Sequence, residues 1–356
     1  MAASFIYELN NILGEGDSSG FIYYIFASEA VLKSVPIMEY THKNVRLREC
    51  NYFGSRALPP ELVSISRKCC VSFTIFGPVY RKLYSKVNVV GFAQPWIIYP
   101  KNEVYKKLGF FDALKSKLKY RIQKKFFKKA DLLVVEHDLV KRKLVEQGFC
   151  KDEIEVVSNA VSAPFLNSNL REVLPEIEIK ERIKLGYIGR NYIHKNLEFI
   201  LEINDILISK YKEKVGFVFT LSNEEMDELS FDVKDNFYSY GAINSMQCPS
   251  FYEKIDGLIF PSLLECFSAS PLEAIISGKP VFACKLPFVS EVYHELNTLF
   301  EPGDAEVAAD LIYSYFHQSK EGAVNHNALE NVNTAKDRAQ QYLRIIASKT
   351  SQNEVD

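Results

Sequence analysis

The sequence predicts a parallel α/β protein built from two doubly wound halves, and three observations carry that expectation. A chain of 356 residues exceeds what one hydrophobic core usually serves. Short β-branched and aromatic runs alternate with helix-period stretches along its length, as strand–helix–strand crossovers require. With 47% apolar and 25% charged residues, it has the make-up of an ordinary globular protein.

In the first half, strands are expected at Ser4–Leu9, Val45–Cys50, Cys70–Phe76, Val87–Phe92, Asp131–Val135 and Glu155–Val157. Helical stretches lie between them at Ser19–Ser34, Phe110–Lys129 and Leu139–Gln147. The polar run from Asn10 to Gly20, with Gly14 and Gly16, reads as the loop between the first strand and the first helix. The second half repeats the alternation, with strands at Ile183–Ile188, Gly216–Leu221, Asn236–Tyr240, Gly257–Phe260, Pro280–Cys284 and Thr298–Phe300. Its helices fit Asn196–Tyr211, Ser245–Lys254, Pro271–Ser277, Val289–Glu295, Ala305–His317 and about Leu329–Ala347. Between the halves, Ser162 to Glu181 holds Pro164 and Pro175 without periodicity and reads as the connection. The domains are thus 1–162 and 181–317. Ligands of such sheets sit beyond the strand carboxyl ends, here in a cleft between the halves.

Several classes are excluded. No run of about 18 apolar residues is present to span a bilayer, and no basic-then-apolar leader opens the chain. Seven cysteines (Cys50, Cys69, Cys70, Cys150, Cys248, Cys266, Cys284) form an odd set without C-x-x-C spacing, which points to a reducing, cytoplasmic setting. The six histidines show neither HxH nor HxxxH spacing and Asp-x-Asp is absent, so no metal is expected. No Gly-x-Ser-x-Gly elbow, Walker A loop or Gly-x-Gly-x-x-Gly turn occurs.

The net charge of −2 hides an asymmetry. Lys101 to Ala130 carries ten Lys and Arg121 against Glu103 and Asp112, a +9 block in a chain whose remainder is −11. Phe111, Leu114, Leu118, Ile122 and Phe126 recur there at helical spacing. Such a stripe docks on the protein's own core or, with its lysines outward, on an anionic membrane surface. Nucleic acid is set aside, because the rest of the chain is acidic and shows no binding motif.

The strongest chemistry lies in Gly257 to Ala283, a buried strand, a loop and a helix starting near Pro271 and ended by Gly278 and Pro280. The amides of Phe267, Ser268, Ala269 and Ser270 would open that helix and form an anion site at a strand's carboxyl end. Glu265 and Glu273 flank it with seven residues between. Read locally, Ser270-Pro-Leu-Glu273 is a capping box with Glu273 at its third helical position, and Glu265 is a solvated loop residue.

Phe260-Pro-Ser-Leu-Leu-Glu265-Cys-Phe-Ser-Ala-Ser-Pro-Leu-Glu273-Ala, continued by Gly278, Pro280 and Val281, resembles the donor-site motif of family-4 glycosyltransferases with its Glu-x7-Glu signature. It departs at Cys266, Ser268 and Ala269, where that family often has glycine. Lys184-Leu-Gly-Tyr-Ile-Gly189-Arg190-Asn-Tyr-Ile-His-Lys195-Asn196 resembles the segment that opens the second domain of these enzymes, with Asn196 in place of glycine. Weaker matches run from Ala130 to Asp138, with His137 at a usual hydroxyl position, and through Asn159-Ala160, Ser290-Glu291-Val292 and Asp337 onward.

The resemblance implies a GT-B fold: two Rossmann-like domains facing across a cleft, acceptor side first and donor side second, with a C-terminal helix (about 329–350) returning to the first. It implies retaining transfer of a hexose from a nucleotide-diphosphate sugar to a lipid-linked glycan in O-antigen, lipopolysaccharide or capsule assembly, without metal or other cofactor, at the inner membrane face. Arg190 and Lys195 would hold the diphosphate, Glu265 the donor sugar's hydroxyls and Glu273 the ribose. The amides of Phe267–Ser270 would receive sugar or phosphate oxygens, and the backbone near Gly241 the base. Gly16 would belong to the first loop facing the cleft. Gln94 stands where many members have a cleft histidine; it can hydrogen-bond a sugar but cannot shuttle a proton. Trp96 beside it serves either packing or sugar stacking. A non-catalytic scaffold subunit and a sugar-nucleotide epimerase of the same fold are the alternatives, separated from transfer by product analysis.

Overall fold

The computed structural model describes residues 2–16, 20–35, 41–51, 54, 56–293, 296–318 and 333–351. It divides into two compact units: Met1–Pro100, Phe111–Ala163 and Asn333–Asp356 form one, Lys101–Phe110 and Pro164–Val332 the other. Every strand pairing is parallel, so the α/β class expected from the alternating pattern is the one observed.

The first unit contains β1 (Tyr23–Ala27), β2 (Val45–Glu49), β3 (Val71–Thr74), β4 (Val87–Gly91), β5 (Leu132–Val135) and β6 (Ile154–Val156). β1 and β2 form a two-stranded sheet, and β3 to β6 a four-stranded one in chain order. All four residues of β5 are buried, as parallel strands covered on both faces require. Val89, Leu132 and Val134 pack with Val157 and with Tyr342 of the helix Ala335–Ser351. That helix returns to the first unit as expected. An isolated bridge from Val161 to Thr334 and a hydrogen bond from Arg338 to Asn159 Oδ1 tie it down. The expected start near Leu329 lies outside the described residues.

The first thirty-five residues correct the expectation. Ser4–Leu9 is not a strand but part of the helix Ala2–Gly14, which buries Ile6, Leu9, Ile12 and Leu13. Those spacings of three and four make one helical stripe, and Leu9 and Leu13 join Val45 in a core that Leu343 of the returning helix borders. Residues within the expected helix Ser19–Ser34 instead form β1, because Tyr23-Tyr-Ile-Phe26 is aromatic and β-branched. A short helix, Glu29–Lys33, follows, capped by the Ser28 hydroxyl. Gly16, at φ +104°, therefore follows a helix and precedes the first strand, which corrects the strand-to-helix loop expected over Asn10 to Gly20.

The basic helix Phe110–Phe127 forms as expected but turned over. Its buried residues are Gln123 and Phe127, while Phe111, Leu114, Leu118 and Ile122 are exposed. Phe126 of the sequence stripe packs edge-on to Tyr80 at 5.0 Å. A second stripe wins: Tyr120 stacks on Trp96 at 5.1 Å and 7°, and Phe127 packs on Phe92 at 4.7 Å. Gln123 accepts from Gln94 Nε2 (3.1 Å) and donates to Tyr80 Oη (2.8 Å), so its burial leaves no polar group orphaned. Docking of the Leu114–Ile122 stripe on the protein's own core is overturned.

The second unit is one sheet of β7 (Lys184–Tyr187), β8 (Gly216–Phe219), β9 (Phe237–Ser239), β10 (Gly257–Phe260), β11 (Val281–Cys284) and β12 (Leu299–Phe300). Its order is β12-β11-β10-β7-β8-β9. The chain builds outward from β7 in one direction, then restarts at β10 and builds outward in the other. β7 and β10 thus flank the topological switch point, where ligands of open α/β sheets bind. The connecting residues 164–181 pack on this unit, with Arg171 Nη1 donating to Glu253 Oε1 (3.3 Å) and Leu174 N to Ser250 Oγ (3.3 Å). Where a helix was expected over Val289–Glu295, a short one ends already at Ser290, having begun at Pro287; positions 294 and 295 lie outside the described residues.

Candidate active site

β7 and β10 are hydrogen-bonded neighbours, with Leu185 opposite Gly257 and Gly186 opposite Leu258. Their carboxyl ends emerge side by side, which brings two sequence segments seventy residues apart into one site. From β7 the chain passes Gly189 and Arg190 into a 3-10 turn, Ile193–Lys195; from β10 it passes Ser262 and Glu265 into the helix Ala269–Ile276.

Lys195 Nζ meets Glu265 Oε1 at 2.5 Å, and the side chains are only 16% and 12% exposed. Ser262 Oγ donates to the same carboxylate oxygen at 2.8 Å. The main chain holds the partners together as well, because Leu263 N donates to the His194 carbonyl at 2.7 Å and Ser262 Oγ lies 3.3 Å from it. Burial is the main force holding the His194 imidazole below the usual histidine range, and Lys195 adds to it against the pull of Glu265. His194 is therefore neutral near pH 7, and Lys195 is the cation beside Glu265. An ammonium with three donors that spends one on Glu265 keeps two for an anionic ligand. Lys195 stands in a turn ahead of the helix Phe199–Tyr211 rather than directly before its first residue, where the expected helix Asn196–Tyr211 would put it.

Asn196, the residue after this turn, has φ +58° and ψ +40° and is 4% exposed. The left-handed conformation explains the departure from glycine: asparagine is the non-glycine residue that adopts it most readily. Asn196→Val is expected to cost about 1–2 kcal/mol, seen as a lower urea midpoint, while Asn196→Gly stays within about 0.5 kcal/mol of the parent. Equal midpoints for all three would show that the turn relaxes freely.

Gly189 sits at φ +148°, and a Cβ there would lie 2.8 Å from the Tyr187 hydroxyl, so a side chain is refused on both counts. Arg190 Nε donates to Glu225 Oε1 at 2.9 Å; among the described residues no partner takes its remaining nitrogens, and the side chain is 56% exposed. Glu225 caps the helix Asn223–Glu228 through Ser222 N (2.9 Å) and also accepts from Asn191 N (2.9 Å). Burial pushes its pKa up, but those two amides and Arg190 outweigh this and hold the carboxylate below its usual range. The sequence reading missed Glu225 and Ser262. Ser222-x-x-Glu225 is a capping box legible in the text, but its second duty toward Arg190 depends on β8 pairing with β7.

The helix Ala269–Ile276 begins two residues earlier than expected, with Ser268 as its cap residue and no side-chain cap. Glu273 is thus two residues further in, at the fifth helical position, and makes no capping box. Its Oε2 instead accepts from Tyr252 Oη at 3.1 Å. Desolvation pushes its pKa up to about 7, with the Tyr252 hydrogen bond opposing. Phe267, Ser268, Ala269 and Ser270 are half-buried, and Tyr293 Oη fixes the Ser268 carbonyl at 2.8 Å.

The other predicted positions lie elsewhere. Gly241 (φ +72°) follows β9, two strands from β7, and its N–H donates to Ser239 Oγ at 3.0 Å. In the first unit, Gln94 is engaged with Gln123, and Trp96 is 9% exposed with a face on Tyr120. His137 caps the helix Asp138–Glu146, its Nδ1 accepting from Leu139 N at 3.1 Å. That is the task of the hydroxyl it replaces. Among the described residues, no group of three or more His, Cys, Asp or Glu is arranged to hold a metal ion.

A parallel sheet whose switch point carries a lysine–carboxylate pair, an arginine and an uncapped helix start has the cations and free amides to receive an anionic ligand beyond the strand carboxyl ends. Residues 171–331 match the family model described as glycosyl transferases group 1. HepE of Anabaena, solved with UDP and glucose, has a TM-score of 0.62 at 14% identity, covering 86% of this chain and 87% of that one. A glycosyltransferase from Rickettsia africae reaches 0.59 at 16% identity, covering 98% and 94%. Sucrose-phosphate synthase from Thermosynechococcus elongatus reaches 0.61 at 15% identity, covering 98% and 90%. The fold is therefore GT-B. A Klebsiella pneumoniae protein described as "Uncharacterized 41.2 kDa protein in cps region" is 26% identical over 182 residues, which is 50% of this chain and 49% of that protein.

Proposed function

We propose that the protein is a metal-independent retaining glycosyltransferase that moves a hexose from a nucleotide-diphosphate sugar to a glycan acceptor, lipid-linked, in capsule or related surface-polysaccharide assembly. The Lys195–Glu265 pair at the switch point carries this reading. Its support is the group 1 match across the second unit, the UDP and glucose held by the HepE relative, and the cps-region relative.

In this reading Lys195 and the free fork of Arg190 face the diphosphate, the opening amides of the helix Ala269–Ile276 take oxygens from sugar or phosphate, and Glu265 orients the sugar hydroxyls. The anomeric C–O bond breaks with its electron pair passing to the diphosphate. The diphosphate takes the acceptor hydroxyl's proton as that oxygen bonds the same face of the sugar. Glu273 accepts from the ribose hydroxyls.

Calorimetric titration with UDP, GDP, dTDP and CMP, without metal and then with magnesium, tests the donor site. One diphosphate binding at micromolar strength without metal is expected, and no binding to any would move the scaffold reading to first place. Analysis of products from the matching sugar nucleotide then separates a new glycosidic bond from an epimerised donor.

The raised pKa of Glu273 adds a pH dependence. A carboxylate pushed up to about 7 is protonated as pH falls below that value and loses its charge toward the ribose. Affinity for the nucleotide is expected to weaken severalfold from pH 8 to pH 6, with proton release on binding. Glu273→Gln should flatten the profile. The same shift makes folding stability fall as pH rises from about 4.5 to about 7, because the native state then holds more protons than the unfolded one.

A further inference from the structure

Tyr252 stands at the donor site with no part in the chemistry assigned there. It lies in the helix Cys248–Glu253 and is fully buried. Its Oη is 3.0 Å from the Ser270 carbonyl oxygen and 3.1 Å from Glu273 Oε2. Both partners belong to the helix Ala269–Ile276, the carbonyl to its second residue and the carboxylate to its fifth. One hydroxyl thus pins the start of that helix to its neighbour and also holds the carboxylate.

A phenol has one proton to donate and cannot serve two acceptors at once. Burial above all pushes the Tyr252 hydroxyl well above its usual range, so it remains a donor. Two arrangements are open to it. With Glu273 ionised, Tyr252 donates to the carboxylate and leaves the Ser270 carbonyl. With Glu273 protonated, the carboxyl donates to Tyr252 Oη while Tyr252 donates to Ser270, and each group is satisfied. Desolvation of Glu273 favours the second arrangement. The Cys248 thiol, pushed up by burial and by the charge of Glu273, is no substitute donor, because its Sγ donates to the Asn244 carbonyl at 3.4 Å. Glu273 is only half-buried, and among the described residues no donor meets its Oε1, which leaves that oxygen for a ligand.

We infer that Tyr252 is a positioning residue for ribose recognition: its hydroxyl turns from the Ser270 carbonyl to Glu273 Oε2 as ribose hydroxyls reach the carboxylate, whose proton leaves to solvent. The inference rests on the assignment of Glu273 to the ribose. Without the Tyr252 hydroxyl the ionised carboxylate loses its donor, so it stays protonated and accepts poorly from the sugar.

The test is calorimetric titration of the full chain with UDP and GDP and with their 2′-deoxy forms. The parent is expected to favour the ribonucleotide that it binds by at least about tenfold, the scale of a hydrogen bond to a charged group. Tyr252→Phe, which removes one oxygen atom, should lose most of that preference while the 2′-deoxy form binds as it does to the parent. A tyrosine with a merely structural role would weaken both forms alike; that result, or a full ribose preference in the variant, would overturn the inference and leave the donor site standing. In a Glu273→Gln background the same substitution should change neither affinity, because Tyr252 acts through the carboxylate, and a further loss there would count against it. Glu273→Asp keeps the charge but draws it back from Tyr252, so it serves if Tyr252→Phe does not fold. It should lose the ribose preference as well, and a retained preference would contradict the role given to Tyr252. A parent that binds neither UDP nor GDP, or that binds dTDP best, would sink the inference, and binding of none of the three would sink the donor-site reading with it.

Discussion

Lys195→Ala is expected to lower turnover at least about a hundredfold, a loss of at least about 2.7 kcal/mol in transition-state stabilisation, the scale of deleting one preorganised electrostatic contact. The ammonium is nearly buried and already placed against Glu265, so its charge acts where water screens little. A folded-state effect accompanies this. Removing one partner leaves the Glu265 carboxylate with the Ser262 hydroxyl, and the unfolding free energy should drop by about 1–3 kcal/mol. The two effects separate cleanly, because turnover is read well below the melting transition and UDP affinity is read by calorimetry. Near-parent turnover in a folded variant would remove Lys195 from the diphosphate role.

Glu265→Ala is expected to cost a similar factor of at least about a hundred in turnover, with nucleotide diphosphate affinity changed far less, since the residue is assigned to the sugar. The double variant decides whether the 2.5 Å contact is part of the mechanism. If the two residues act as one unit, the double variant falls short of the summed single losses by about 0.5–3 kcal/mol. Strict additivity would mean that each serves the donor separately. A Glu265→Ala enzyme with parental turnover and altered stability alone would make the carboxylate a structural partner of Lys195.

The second unit is the more legible half for a physical reason. Its central strands are buried almost throughout and its turns are chemically constrained, so the expected Gly257–Phe260 matches to the residue and the other five strands to within two residues at either end. Its deviations from the family text also made sense only in three dimensions. Asn196 keeps the left-handed turn that glycine would give, and His137 performs the cap of a missing hydroxyl with its ring nitrogen. The Glu273 capping box failed because the helix starts at Ala269, one turn ahead of the glutamate, and a buried tyrosine claimed the carboxylate instead.

The first unit was harder to read. Ser4–Leu9 has the composition of a strand, and its helical fate depends on a partner more than three hundred residues away, the helix Ala335–Ser351, against which that stripe packs. The basic helix offered two apolar stripes of similar spacing. Which one faces inward was settled by Trp96, Phe92 and the Gln94–Gln123–Tyr80 hydrogen bonds, none of which local periodicity can see.

The amino-acid sequence by itself therefore determined the alternation of parallel strands and helices, the strand–loop–helix bearing Glu265 and Glu273, and the cations Arg190 and Lys195, because these depend on local burial, turn chemistry and charge. The tertiary structure alone decided that Lys195 meets Glu265, that Glu225 steadies Arg190, and that the Leu114–Leu118 face looks outward. Each of these depends on strand order or on competition between faces, and both arise only when distant segments compete to bury the same apolar surface.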